Sequence, residues 1–142
     1  MLINTGCTIY NMYKNKETNK IEFYRTFLEA VHWESSKGTN VVSVGIKEAD
    51  NILVMVWFNV KAEGKGFIKP IDYAKLDPND LSSYWTLTQG YDYIVKGNGP
   101  MISTEDEVKN ILKANEEAFK ITYVDTFDMG SRNMRHWEVS GK

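Results

Sequence analysis

Apolar and polar positions alternate through Thr8 to Tyr13 and through Ile21 to Glu34, two stretches rich in β-branched and aromatic residues. They flank the polar run Lys14 to Lys20, a pattern that predicts a hairpin with a solvated loop. In the second stretch Ile21, Phe23, Phe27, Val31 and Trp33 share one parity while Glu22, Thr26, His32 and Glu34 share the other, as in a half-buried strand. Arg25 and Glu29 interrupt the apolar parity and predict a bulge or bend. Val42, Val44 and Ile46 alternate with Ser43, Gly45 and Lys47 in a third strand, which turns at Glu48 to Asn51. The run Ile52 to Val60 is apolar on both parities, so it needs cover on both faces of the sheet or against another subunit.

From Phe67 to Gly90 the periodicity weakens around Pro70 and Pro78, which predicts irregular crossing structure. Tyr93 to Lys96 is a short strand, closed by Gly97-Asn98-Gly99-Pro100. Thr104 and Glu107 match a capping box, and Val108, Ile111, Leu112, Ala118 and Phe119 recur at helical spacing, predicting a helix over Glu105 to Ala118. Two more strands follow, Phe119 to Asp125 and Asn133 to Val139. The sum is a mainly β, α+β fold: one domain over residues 1–142, a small barrel or sandwich of six to seven strands with long loops. Its helix comes before the last two strands and is expected to cover one opening. The polar loops Lys14 to Lys20, Ser35 to Asn40 and Lys61 to Gly66 are expected to be mobile in a free protomer and to order against partners.

Composition supports one self-sufficient core: 142 residues, 42% of them hydrophobic, with a single cysteine that rules out a disulfide framework within the chain. Seventeen Lys and Arg face 19 Asp and Glu, with no basic run, which disfavours nucleic acid as the main partner. The first residues lack the features of an export signal, and no apolar run is long enough to span a bilayer as a helix.

Motifs for chemistry are sparse. The tripeptide His32-Trp33-Glu34 recurs as His136-Trp137-Glu138 and contains both histidines of the chain. Alternation sends Trp33 and Trp137 into the core and both His/Glu pairs outward. A metal site would need a third ligand that only assumption could supply from Cys7, Glu34 or Glu138, so no metal or cofactor is expected. Cys7 has no histidine at fixed spacing, and Gly-x-Ser-x-Gly does not occur. Asp77 with Asp80 and Asp125 with Asp128 do not continue into a calcium loop, and Gly97-Asn98-Gly99 lacks the rest of a phosphate loop.

What remains is a surplus of aromatic residues in or beside loops and strand ends. Tyrosine and tryptophan give broad contact area with a polar tip, which makes Tyr73, Tyr84, Trp85 and Tyr91 interface candidates. Met55 and Trp57 of the two-faced strand join them.

Taken in order, Thr8-Ile9-Tyr10-Asn11, Tyr24-Arg25-Thr26 and Val31-His32-Trp33-Glu34 resemble the opening of small structural proteins encoded near the portal and capsid genes of tailed phages and prophages. Lys69-Pro70-Ile71-Asp72-Tyr73 is similar to that group's Lys-Pro-x-x-Tyr segment. Trp85-Thr86-Leu87, with Gly90 and Asp92 to Gly97, is similar to its next strand, and Gly130-Ser131 through His136-Trp137-Glu138-Val139 to its closing one. The resemblance spans nearly the whole chain. It implies a head completion or head closure protein, a β-barrel-like protomer without an enzymatic site. Such a protein forms a ring of its own copies in the neck of the virion, with a portal or adaptor on the head side and a tail tube or tail terminator on the tail side. It would be assembled in the host cytoplasm, away from membranes, with DNA only as channel content. A net charge of -2 suits a channel through which DNA must slide. A tail terminator or tail completion protein is the alternative within that class, and a small-molecule-binding β barrel is the alternative outside it.

Overall fold

A computed structural model describes residues 3–35, 52–115 and 117–141. The expected strand Val42 to Ile46, its turn and the loop that precedes it, beyond Ser35, lie outside the described residues. The strands are β1 (Thr5–Lys14), β2 (Ile21–Ser35), β3 (Ile52–Trp57), β4 (Gly66–Phe67), β5 (Tyr84–Trp85), β6 (Tyr93–Lys96), β7 (Ala118–Phe127) and β8 (His136–Gly141). Six of them close an antiparallel barrel in the order β1-β2-β3-β8-β7-β6, and β4 pairs with β5 in a small parallel ladder. Closure of a mainly β chain removes most of the unpaired strand edge.

Because each barrel pairing is antiparallel, the ends at Lys14, Ile21, Trp57, Tyr93, Phe127 and His136 all meet at one rim. The β1–β2 turn, the β7–β8 tip and the whole segment 58–92 sit at this rim. That crossing segment holds β4, β5, a short helix α1 (Pro70–Tyr73) and a 3-10 turn at Pro78–Ser83. The one longer helix, α2 (Glu105–Ala114), starts with the capping box of Thr104 and Glu107 and stops at Asn115, short of the expected Ala118. Ala118 belongs to β7, where it pairs with Val95.

The interior is filled by Cys7, Ile9, Leu28, Val54, Val56, Phe119 and Ile121, with Trp33, Trp85 and Trp137 among the buried rings. Burial at about 25 cal/mol per Å² makes such rings a dominant favourable contribution. In β3 the residues Ile52, Val54 and Val56 point inward while Leu53 and Met55 stay half-buried outside. The strand is central, paired with β2 and β8, as an element without a wet face requires.

Two expectations need correction. The apolar parity of β2 is not one face: Phe23 and Phe27 share the outer wall with Arg25, and the inward residues are Thr26 and Leu28, then Val31 and Trp33. A register shift in the β1–β2 pairing, near Glu29 and Ala30, inserts one residue and reverses the phase. The helix, in turn, does not cover an opening. It lies against the outer wall, where Val108 packs with Tyr10, Phe23, Tyr93 and Val95.

The loop Lys61 to Gly66 is also not the free element its polarity predicts. Among the described residues the first half of β2 has no strand on its second side, and this loop satisfies that edge. Glu29 donates its N–H to the Lys61 carbonyl at 3.0 Å, and Phe27 its N–H to Glu63 Oε1 at 2.8 Å. Lys65 Nζ donates to the Arg25 carbonyl at 2.7 Å and to Thr26 Oγ1 at 2.9 Å. Glu63 and Gly64 turn the loop with φ of 58° and 77°. Further along the same edge Phe23 donates to the Ser103 carbonyl at 3.0 Å. The Lys14 to Lys20 loop is likewise held by local bonds, with Asn15 donating to the Lys20 carbonyl and its side chain accepting from Glu17 and Thr18.

Candidate functional site

The rim crossed by segment 58–92 has a sealed half and an open half. In the sealed half Asp92 is wholly buried just before β6 begins, where the β1–β6 ladder has ended at Tyr10 and Tyr93. Its carboxylate replaces the missing strand. Oδ1 accepts the Met12 N–H at 2.8 Å, and Oδ2 accepts Asn11 Nδ2 and the Thr88 N–H at 2.7 and 2.8 Å. Asn11 also donates to the Thr86 carbonyl at 2.7 Å and accepts the Thr86 N–H at 3.2 Å. Burial pushes the Asp92 carboxyl up to about 7, against the opposing pull of these donors. Tyr73, Tyr13 and Leu81 close over this side, with the Tyr13 ring edge-on to Tyr73. Among the described residues the buried hydroxyls of Tyr73 and Thr86 have no partner, and burial raises the Tyr73 phenol far above its ordinary value.

The open half is apolar. A groove of about 880 Å³ lies between the crossing segment and the inward-facing end of the β7–β8 hairpin. Phe58, Phe67, Leu87, Val124 and Trp137 form its floor, and Thr88, Gln89, Thr126 and Asp128 add polar points. The floor is stiff: Trp137 lies 4.4 Å from Phe58 and 4.3 Å from Phe67 between ring centroids, and Trp85 meets Trp137 edge-on. At its lip Ile71 is 64% exposed. Beyond Thr126, on the outer side of the hairpin, Phe127 is 40%, Met129 84% and Met134 64% exposed. Phe127 stacks on His136 at 5.0 Å, and Trp57 flanks the other side of that imidazole.

The interface candidates separate accordingly. Tyr84 and Tyr91 are exposed and Met55 is half-buried. Tyr73 and Trp85, each only 2% exposed, are interior residues, and Trp57 is buried on the outer side of β3 against His136. Aromatic character marks both a contact surface and a plug for a small barrel, and Tyr73 and Trp85 fill the second role. Trp33 and Trp137 lie in the core, and Trp33 Nε1 donates to Glu117 Oε2 at 2.6 Å. The His/Glu pairs face outward, each within one strand: His32 Nε2 to Glu34 Oε1 at 2.9 Å, His136 Nε2 to Glu138 Oε2 at 3.1 Å. Cys7 is wholly buried, and burial raises its thiol well above the usual range. Among the described residues no group of three His, Cys, Asp or Glu is placed to hold a metal, and no helix is long and apolar enough to cross a membrane.

Sequence reasoning missed the groove, Asp92 and the hairpin tip. Asp92 sits in Gly90-Tyr91-Asp92, which reads as a turn, yet a lone acid directly before an apolar strand was a usable signal. Met129 and Met134, two large apolar residues within a Gly- and Arg-containing turn, were another.

The model of a family of unknown function, DUF6751, matches residues 2–142, and the chain belongs to that family. No curated protein and no solved structure matches it.

Proposed function

We propose that this family member is a non-enzymatic assembly subunit of a tailed-phage neck, a head closure or connector protein that forms a ring between portal and tail. The observation that carries the reading is the one-sided rim, which pairs a rigid barrel with an exposed apolar lip beside an open apolar groove. Ile71, Phe127, Met129 and Met134 project from a structure whose core is already complete without them. Large apolar residues clustered at one edge of a domain mark a surface made for protein contact. The segments that resemble neck proteins supply this rim: Lys69 to Tyr73 forms its short helix, Trp85 to Leu87 its plug, and Gly130 to Val139 its tip and closing strand. The test is deletion of the gene in a phage that encodes it. Electron microscopy of the lysate should show filled or leaking heads beside free tails, with joining restored by the gene in trans. Normal virions from the deletion would refute the reading, and heads carrying no tails only because tails fail to terminate would move it to the tail terminator alternative.

The groove favours a second reading. Its volume and mixed lining, mainly apolar with a few polar points, are those of a small-molecule site in the mouth of a β barrel. Saturable binding of an apolar fluorophore to the monomer, abolished by Thr126→Trp, would support that reading over the first.

A further inference from the structure

Among the described residues the first half of β2 and the last half of β7 each have one side outside any ladder, and the chain treats the two edges differently. The β2 edge is covered by Lys61 to Gly66 and by Ser103. The β7 edge is covered only as far as Val124. Ile121 donates its N–H to the Asp92 carbonyl and its own carbonyl accepts the Gly90 N–H, both at 2.8 Å, and Gln89 Oε1 takes the Val124 N–H at 2.7 Å. Past that point the crossing segment turns away, its Thr88 and Thr86 N–H groups bonded to Asp92 and Asn11. Register fixes which groups are left over. Phe58 donates to the Arg135 carbonyl, so odd-numbered residues of β8 bond β3 and even-numbered ones bond β7. Glu138 and His136 thus take Asp125 and Phe127, and the N–H and C=O of Val124 and Thr126 point away from the hairpin. Among the described residues no group donates to the Val124 or Thr126 carbonyl, and the Thr126 N–H is met only by the carboxylate of its neighbour Asp125, at 3.0 Å. Release of that carboxylate breaks no bond of the β7–β8 ladder. This edge borders the groove, which Val124, Thr126 and Asp128 help to line.

Resting on the assembly reading above, we propose that a partner protein adds an extended segment to β7 along Val124 to Asp128, with apolar residues at alternate positions laid on the groove floor. The main chain of the added strand meets the edge groups, and the pleat gives every second side chain to Phe58, Phe67 and Trp137. A helix has no free main-chain groups to offer such an edge. A compact ligand would fill the floor and leave the edge unpaired. The donor is a separate protein, because among the described residues the long strands are all built into the barrel and β4 and β5 into their own ladder, so none is loose to be donated.

Amide hydrogen exchange and one proline test this. Deuterium uptake over Val124 to Asp128 is followed by mass spectrometry in the purified chain and in virions that carry it. Thr126→Pro, whose lost N–H belongs to no ladder, is supplied in trans to the deletion phage in parallel with the wild-type gene. Uptake over the segment should be at least tenfold slower in virions than in the purified chain. The Thr126→Pro protein should keep the wild-type urea midpoint and yield at least tenfold fewer joined virions; if it does not fold, the uptake result alone decides. Equal uptake in the two states, or full joining by Thr126→Pro, would overturn strand addition and leave the neck subunit standing. Slow uptake already present in oligomers of the purified chain would assign the strand to a second copy and overturn the separate donor. Normal virions from the deletion would overturn both readings.

Discussion

The two halves of one rim are built from the same crossing segment and follow opposite rules. On one side Asn11, Asp92 and the backbone of Met12, Thr86 and Thr88 form a polar knot closed over by Tyr13, Tyr73 and Leu81. On the other, Phe58, Phe67 and Trp137 stack into a floor that opens on a groove among the described residues. A buried polar group is costly unless it is satisfied, so the knot of Asn11 and Asp92 must be shut and exact in geometry, and the Tyr73 and Thr86 hydroxyls carry that cost. Apolar rings carry no such demand, and they can stay open to receive something. The difference teaches where the chain stores stability and where it keeps a surface for contact.

Substitutions should separate the halves in graded fashion. The largest effect is expected from Asp92→Ala, which leaves three buried N–H donors without an acceptor; at about 1 to 3 kcal/mol each, the loss should reach about 4 to 6 kcal/mol in urea denaturation. Trp137→Ala removes the ring that both halves share, through Trp85 and through the groove floor, and should cost about 3 to 5 kcal/mol by the same measurement. Trp33→Ala should cost a similar amount, since that ring is equally interior.

The pH dependence sharpens the contrast. Asp92 is raised from an ordinary 3.8 to about 7 in the folded chain, so its contribution to stability is complete below about 4 and is lost as pH rises through about 7. The stability difference between wild type and Asp92→Asn should therefore shrink between pH 5 and pH 8, and a difference that is constant or grows would break the account. Glu63→Ala should cost about 1 kcal/mol, because it removes the acceptor of one strand-edge N–H and a partly exposed ion pair with Arg25 at 3.5 Å. Smallest of all, Met129→Ser and Met134→Ser should stay within about 0.5 kcal/mol of wild type, as exposed residues outside the core do. A large loss there would place the tip on the stability side of the comparison.

Much of the architecture was legible because its signals are local. The capping box at Thr104 and Glu107, the polar turn between β1 and β2, the two-faced run of β3 and the glycines after Lys96 each act over a few residues, and each element is present, although α2 ends at Ala114 and β3 at Trp57, short of the expected Ala118 and Val60. What could not be read depended on distant partners. In β2 the interruption at Glu29 did mark the bulge, but which residues face inward on each side of it comes from pairing with β1, and Phe23 looks like a core residue because α2, some eighty positions later, buries it from outside. Tyr73 and Trp85 could not be told from contact residues, since only the closed barrel shows which rings have an interior to fill. The groove is a space bounded by the crossing segment and the final hairpin, and a space between distant segments leaves no mark in either one. The Lys61 to Gly66 loop misled because its charges serve an edge and not the solvent.

The one-residue shift near Glu29 makes the grammar of β2 two-part. Just upstream of it the even-numbered Thr26 and Leu28 face the interior; downstream the odd-numbered Val31 and Trp33 do. A deletion of Ala30 alone would place Val31 two positions after Leu28 and restore an uninterrupted alternation with Leu28, Val31 and Trp33 all inward, whereas a one-residue deletion between Ile21 and Thr26 would invert the residues before it. The Glu29-Ala30 pair thus behaves as punctuation: it joins two runs of opposite parity that share one interior, so a gap there removes the mark and keeps the sense, while a gap elsewhere in the strand changes the reading frame in space.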